Sequence, residues 1–400
     1  MTVQSINSGK ADAQDPSTQA QPSPKARLFF VDNLRILLIV LLILHHLAIT
    51  YGAFGAWYYT EPPSSDVAVM VFTLFTGLNQ SFFLAFFMMI SGYFTPGSCD
   101  RKGSGLFFKD RLLRLGIPLA FYAIVIDPLI NYAVAVNVGS FGGSFWEFLI
   151  RYVGGYDGLS VGPLWFVETL LIFSGAYVLW RLATPAPTSF QDTDGKVPGN
   201  LTITGFALLL GVVSFAVRVW VSQDQWFDLL QLPVADFPQY IALFIVGIMA
   251  YRRNWFIQIS KTKARLWLGV AIVSAVLLPI MMVIGGGPEG DMAPFLGGVH
   301  WQSLVFSVWQ QFLCMGMVIG LLVLFRERLN RQGKIARAMA ASAYTVYIIH
   351  APVLVSLGLV FQGVSAPSLV KYALVAPIAV ALCFLLAGLV RKLPLARDIL

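Results

Sequence analysis

Arg35 and His46 lie eleven residues apart in an apolar run that begins near Leu34. At about 100° per residue this spacing returns to within roughly 20° of one helix face, with a rise of roughly 16 Å between the two side chains. That face carries a guanidinium, suited to a phosphate or carboxylate, and an imidazole, able to give or take a proton near neutral pH. His45 points about a quarter turn away. Taken singly, Arg35 reads as a snorkelling cation and His46 as an interhelical hydrogen-bonding group; their shared face points instead to a site.

Ionisable side chains within apolar spans are costly unless paired or hydrated, so the few others are also candidates. Asp127 sits about as far along its helix as His46 does along its own, roughly 18 Å at helical rise, which predicts a shared layer. Because Pro128 follows, Asp127 is expected either to accept backbone donors near a kink or to orient a neighbouring group. Glu168, in Pro163-Leu164-Trp165-Phe166-Val167-Glu168, is a rim carboxylate placed to bind a hydroxylic substrate or to support His46. Arg111 and Arg114 occupy adjacent turns of one face, an arrangement that suits bidentate phosphate binding, and equally an orientation signal or anionic lipid. Tyr344, Tyr347 and His350 advance in steps of three and form one stripe, in which the tyrosines read as packing and the histidine needs a partner.

These groups must be positioned by membrane helices. With 57% hydrophobic residues, 12% charged and a mean hydropathy of +0.74, the 400-residue chain is too apolar for an ordinary water-soluble domain. Hydrocarbon cannot satisfy backbone polar groups, and apolar runs of about 20 residues without alternation argue for helices over a barrel. The fold class is therefore all-α and polytopic. Spans are predicted near 34–54, 74–94, 115–135, 164–182, 201–221, 238–251, 266–285, 302–325, 341–361 and 369–390; the second belongs to an apolar segment, Val67 to Phe94, that is longer than one crossing needs and has room for an interfacial turn. Lysine and arginine concentrate in alternate loops, leaving only Arg151, Arg218 and Lys371 of 27 on the opposite side. Ten helices with both termini in the cytoplasm satisfy this pattern. The basic pI of about 9.3 then records orientation, and no nucleic-acid partner is expected.

Residues 1–27, rich in Ser, Gln, Asp, Pro and Lys, read as a disordered cytoplasmic tail. No cleavable signal is evident, so the first apolar run is expected to remain as the first helix. The three cysteines imply no disulfide framework. The stretch Phe145 to Tyr152, within the 139–162 loop, is amphipathic enough to lie at a membrane interface. There is no internal repeat and no pair of broken helices at matching positions in two halves, which weakens the reading as a transporter.

Five of these pieces in order are similar to the membrane acyltransferase 3 family: Phe30-Val31-Asp32-Asn33-Leu34-Arg35 with His46 eleven residues beyond Arg35, Ile90-Ser91-Gly92-Tyr93-Phe94, Arg111-x-x-Arg114, Leu164-Trp165-Phe166, and Tyr344-Thr345-Val346-Tyr347-Ile348-Ile349-His350. The resemblance covers residues 28–395. It implies O-acyl transfer, acetyl or succinyl, from cytoplasmic acyl-CoA to a hydroxyl of a glycan, lipid-linked or small-molecule acceptor, in a bacterial inner membrane. By it, Arg35 and His46 match the family's arginine and essential histidine, Arg111 and Arg114 its donor-binding pair, and Glu168 its acidic position after Leu-Trp. This chain departs from the pattern in having Thr169 after Glu168, where many members have a second glutamate. Acyl-CoA is expected as a co-substrate, with no metal and no resident cofactor; oligomeric state is not legible. His46 would act as base, with Asp127 or Glu168 fixing its tautomer, by direct transfer or through an acyl-histidine, while Tyr344, Tyr347 and His350 line the substrate path. The rival reading is a transporter or flippase for an anionic or lipid-linked substrate.

Overall fold

A computed structural model describes residues 27–155, 160–184, 195–225, 227, 232–286 and 292–399. The expected N-terminal tail lies outside them, apart from Arg27. Among the described residues the chain is helical without strands, and ten helical stretches are long and apolar enough to cross a membrane. The principal helices are α1 (Phe29–Thr50), α2 (Asp66–Gln80), α3 (Phe83–Lys102), α4 (Ser104–Asn137), α5 (Phe145–Gly154), α6 (Trp165–Ala183) and α7 (Asn200–Arg218). They continue with α8 (Phe237–Arg252), α9 (Lys261–Ile284), α10 (Trp301–Arg328), α11 (Lys334–Phe361) and α12 (Ser368–Val390).

The second predicted span, 74–94, resolves into two helices. At Ser81 and Phe82 the backbone leaves the helical path, with Phe82 at φ −136°. The freed polar groups are satisfied locally, as burial requires: the Ser81 hydroxyl donates to the Gly77 carbonyl at 2.8 Å, and the buried Gln239 amide donates to the Ser81 carbonyl at 3.0 Å. α3 then runs eight residues beyond the predicted end at Phe94, so that Ser91-Gly92-Tyr93-Phe94 and Cys99, expected at a helix end and in a loop, are both interior to it. Gly92 has a packing role. A Cβ there would stand 2.1 Å from the Phe244 carbonyl oxygen of α8, and one on Gly247 would stand 2.1 Å from that of Met89. Two glycines thus let α3 and α8 touch backbone to backbone, the usual small-residue device of membrane helices. Gly92→Leu is expected to force the pair apart and destabilise the protein by about 1–3 kcal/mol, read as an earlier melting midpoint in detergent; an unchanged midpoint contradicts the packing role.

α4 is uninterrupted but contains two π-helical turns, Leu112–Gly116 and Tyr122–Ile126, each placed just ahead of a proline, Pro118 and Pro128. Proline offers no N–H to the carbonyl four residues back and its ring presses against it; widening the turn relieves the clash. The carbonyl so deprived by Pro118 is that of Arg114, and the Tyr344 hydroxyl of α11 donates to it at 2.8 Å.

The three basic residues outside the alternating charge pattern are all engaged. Arg218 is fully buried and donates to Asp236 Oδ1 at 2.8 Å, Gln310 Oε1 at 2.6 Å and Ser307 Oγ at 2.9 Å. Lys371 is buried against Glu61 Oε2 at 2.5 Å, and the Arg151 guanidinium lies 5.5 Å from the Phe141 ring centroid. Two internal ion pairs and one ring contact therefore account for the exceptions.

Candidate active site around His46

α1 runs against α2, α3, α10, α11 and α12, and its Leu34, Leu38, Leu42 and Ile43 are buried. Its first turn is stitched to the segment between α10 and α11: Asn33 Nδ2 donates to the carbonyls of Leu329 at 2.6 Å and Arg331 at 3.1 Å, and Asn330 Oδ1 accepts from the Phe30 amide. This registers α1 against α11 and brings His46 to His350, with ring centroids 5.2 Å apart and near-parallel planes.

The third ring is one that sequence reasoning missed. After α1 the chain turns back through Gly52 and Gly55, whose φ angles of 124° and 151° other residues rarely adopt. This lays the Trp57 indole on the His46 imidazole, 4.1 Å between centroids and 15° between planes, and 6.0 Å from His350. The turn is clipped to α12 by the Glu61–Lys371 ion pair and by Ser64 and Ser368, each of whose hydroxyls accepts from the other's amide at 2.9 Å. His46 itself is half-buried, and its Nδ1 is buried with no hydrogen-bond partner among the described residues. His45 packs edge-on against it, and its Nδ1 lies 3.3 Å from the Asn79 amide.

The stripe on α11 serves as a seam. Tyr344 holds the Arg114 carbonyl, the Tyr347 hydroxyl donates to the Pro163 carbonyl, and Tyr347 packs 5.7 Å from the His350 ring. His350 is fully buried, its Nδ1 is 2.6 Å from the Tyr347 carbonyl, and its Nε2 is buried without a partner. A carbonyl only accepts, so Nδ1 carries the proton and Nε2 a lone pair.

Asp127 is fully buried beside this cluster, one residue removed through the loop: Tyr58 donates to its Oδ1 at 2.5 Å and Tyr152 of α5 to its Oδ2. Asn131 donates to the Asp127 carbonyl at 2.9 Å, and the Tyr58 and Tyr122 hydroxyls are 3.1 Å apart. Gly162, at φ 47°, leaves room for Tyr58, whose hydroxyl would stand 2.0 Å from a Cβ there. Asp127 thus grips the loop and α5, and no hydrogen bond joins it to His46 among the described residues. Nor does one join Glu168 to His46; a turn into α6, Glu168 is half-buried with Oε2 lacking a partner. α5 itself begins in a Ser144/Glu147 capping box, packs Phe145 and Phe148 on Tyr132, and leaves Trp146, Ile150 and Val153 uncovered on the other face, matching the amphipathic pattern.

At the other end, Arg35 pairs among the described residues with Asp32, at 3.7 Å, and Asp32 is also held by Arg27 at 2.8 Å. The Arg111 guanidinium sits 5.2 Å over Phe107. Among the described residues no carboxylate is within ion-pair distance of Arg111 or Arg114, although nearby Arg181 and Arg252 are both spent on Asp100. Among the described residues no hydrogen bond or ion pair joins Arg35 to Arg111 or Arg114; Tyr344 ties α11, not α1, to α4. In α1 itself, Arg35 lies in the second turn and the ring-packed His46 in the last two turns.

A family model described as an acyltransferase domain matches residues 28–388. The glucans biosynthesis protein C of Escherichia coli strain K12 is 23% identical over 349 residues, covering 84% of this chain and 84% of its own; the proteins of that name from strains SMS-3-5 and O9:H4 HS align to the same extent. No solved structure matches.

Proposed function

Since the chain belongs to the acyltransferase 3 family and is an integral membrane acyltransferase, we propose that it moves an acetyl or succinyl group from cytoplasmic acyl-CoA to a hydroxyl of a carbohydrate acceptor. The names of its relatives favour a glucan among glycan, lipid-linked and small-molecule acceptors. The observation that carries the reading is His46, a half-buried imidazole without a hydrogen bond to its Nδ1, packed on Trp57 and His350 and sharing a helix face with Arg35.

Arg35, Arg111 and Arg114 hold the CoA phosphates at the cytoplasmic end, where their charges have little internal neutralisation. The acyl-pantetheine arm rises along α1 past Tyr344 and Tyr347. A neutral His46 takes the acceptor's hydroxyl proton as the oxygen attacks the thioester carbon. Asp127 supports the centre through Tyr58, which anchors the loop that carries Trp57, while Glu168, with an unpartnered carboxylate oxygen, receives acceptor hydroxyls. Both termini face the cytoplasm, in a bacterial inner membrane.

The test is purified protein with radiolabelled acetyl- and succinyl-CoA and a soluble glucan: His46-dependent CoA release with label on the glucan supports the reading. Unaltered labelled substrate crossing proteoliposomes without CoA release overturns it in favour of transport. Within this scheme Arg111→Ala is expected to raise the donor KM about tenfold, the loss of one charge-assisted contact of about 1.5 kcal/mol, with kcat little changed. An unchanged donor KM contradicts the phosphate mouth.

A further inference from the structure

We propose that the Trp57 indole N–H is the hydrogen-bond donor that stabilises the oxyanion formed at His46 during acyl transfer, an assignment that rests on the acyl-transfer reading above. When the acceptor oxygen attacks the thioester, a C–O bond forms, the carbonyl π pair moves onto oxygen, and the hydroxyl proton passes to His46. Collapse re-forms the C=O bond, breaks the C–S bond, and returns the proton from His46 to the leaving CoA sulfur. The negative oxygen between these steps needs a preorganised donor close to the imidazole that holds the proton.

Three rings touch His46, and the structure commits two of them elsewhere. His350 gives its only proton, on Nδ1, to the Tyr347 carbonyl, so its Nε2 presents a lone pair that an anion avoids. His45 is turned to Asn79. Two nearby hydroxyls are committed as well: Tyr58 donates to Asp127 and Tyr347 to the Pro163 carbonyl. Trp57 differs. Its Nε1 is buried with no hydrogen-bond partner among the described residues, although indole N–H groups in protein interiors usually find one. The ring that carries it lies face-on to the His46 imidazole at 4.1 Å. It is also held there: the turn around it is fixed by the buried Glu61–Lys371 pair, the Ser64–Ser368 exchange and the Tyr58–Asp127 bond. A donor that is unpaired and held against the general base needs no bond broken and no dipole turned at the moment of reaction, two conditions that favour an oxyanion donor.

The experiment compares wild type, Trp57→Phe and His46→Ala in CoA release and in label transfer to glucan. Phenylalanine keeps a ring on His46 and removes the N–H. The expected result is a fall in kcat of about 10²- to 10³-fold for Trp57→Phe, with the donor KM within about twofold of wild type. Such a split is not what loss of a binding or packing contact gives. Wild-type kcat in Trp57→Phe, with His46→Ala inactive, overturns the assignment and leaves the acyl-transfer reading standing. Full activity in His46→Ala overturns both. Should Trp57→Phe elute misfolded from a sizing column, 3-benzothienylalanine placed at position 57 substitutes sulfur for N–H within an unchanged ring shape; the same loss of kcat is expected, and its absence overturns the proposal.

Discussion

His46→Ala is expected to lower acyl transfer by about 10²- to 10⁴-fold, the contribution of a positioned general base, while the protein remains inserted and monodisperse. The two halves of this expectation come from different atoms. Activity rests on the imidazole nitrogens, and the two imidazoles beside them are engaged elsewhere: His350, 5.2 Å away, has its proton committed to a carbonyl, and His45, 5.3 Å away, is turned to Asn79. Stability rests on the rest of α1, where Leu34, Leu38, Leu42, Ile43 and Leu47 are buried and Asn33 is tied to the α10–α11 segment. The measurement is initial-rate CoA release alongside size-exclusion elution and melting in the same detergent. Turnover at the wild-type rate in a folded variant would falsify the assignment of His46 as base.

Arg218→Met is expected to destabilise the protein by about 3–5 kcal/mol, the usual consequence of removing one partner from a buried ion pair. Arg218 is 1% exposed and Asp236 5%, and with the guanidinium gone the carboxylate keeps the Gln223 amide, at 2.8 Å, but no described cation. Ser307 and Gln310 would lose their donor too. Replacing both partners, as Arg218→Met with Asp236→Leu, is expected to recover most of the loss, because the cost lies in the orphaned charge more than in the missing attraction. Melting midpoints of the two single variants and the double decide it: equal destabilisation in all three, or none in the first, sinks the account. Loss of the pair should therefore lower the yield of folded protein.

Much of this protein was legible in one dimension because the bilayer makes one-dimensional demands. A span must be apolar for about 20 residues and close its own backbone hydrogen bonds, so run lengths alone located all ten crossing stretches within a few residues at most ends. The shared face of Arg35 and His46 was likewise a property of α1 by itself, set by helical pitch. So was the Tyr344–Tyr347–His350 stripe, which the fold uses whole as the seam on Arg114, Pro163 and the His46 cluster. Length allowed a turn in the second span but did not place it at Ser81, since nothing in the apolar sequence there says that Gln239, 158 residues later, will satisfy the freed carbonyl.

What surrounds His46 was decided by tertiary structure. The expectation that Asp127 or Glu168 would orient it treated equal depth in two helices as proximity; depth says nothing of azimuth, and Asp127 faces Tyr58 and Tyr152. Trp57 and Tyr58 were invisible as site residues because they belong to a connecting turn, whose path is set by Gly52, Gly55 and a clip to Lys371 and Ser368 more than 300 residues away in sequence. Sequence alone determined the membrane class, the number of spans and the helix face that Arg35 and His46 share, all local consequences of hydrophobicity and pitch. Only packing decided which rings enclose the imidazole, because that depends on long-range pairings between a loop and a helix near the opposite end of the chain.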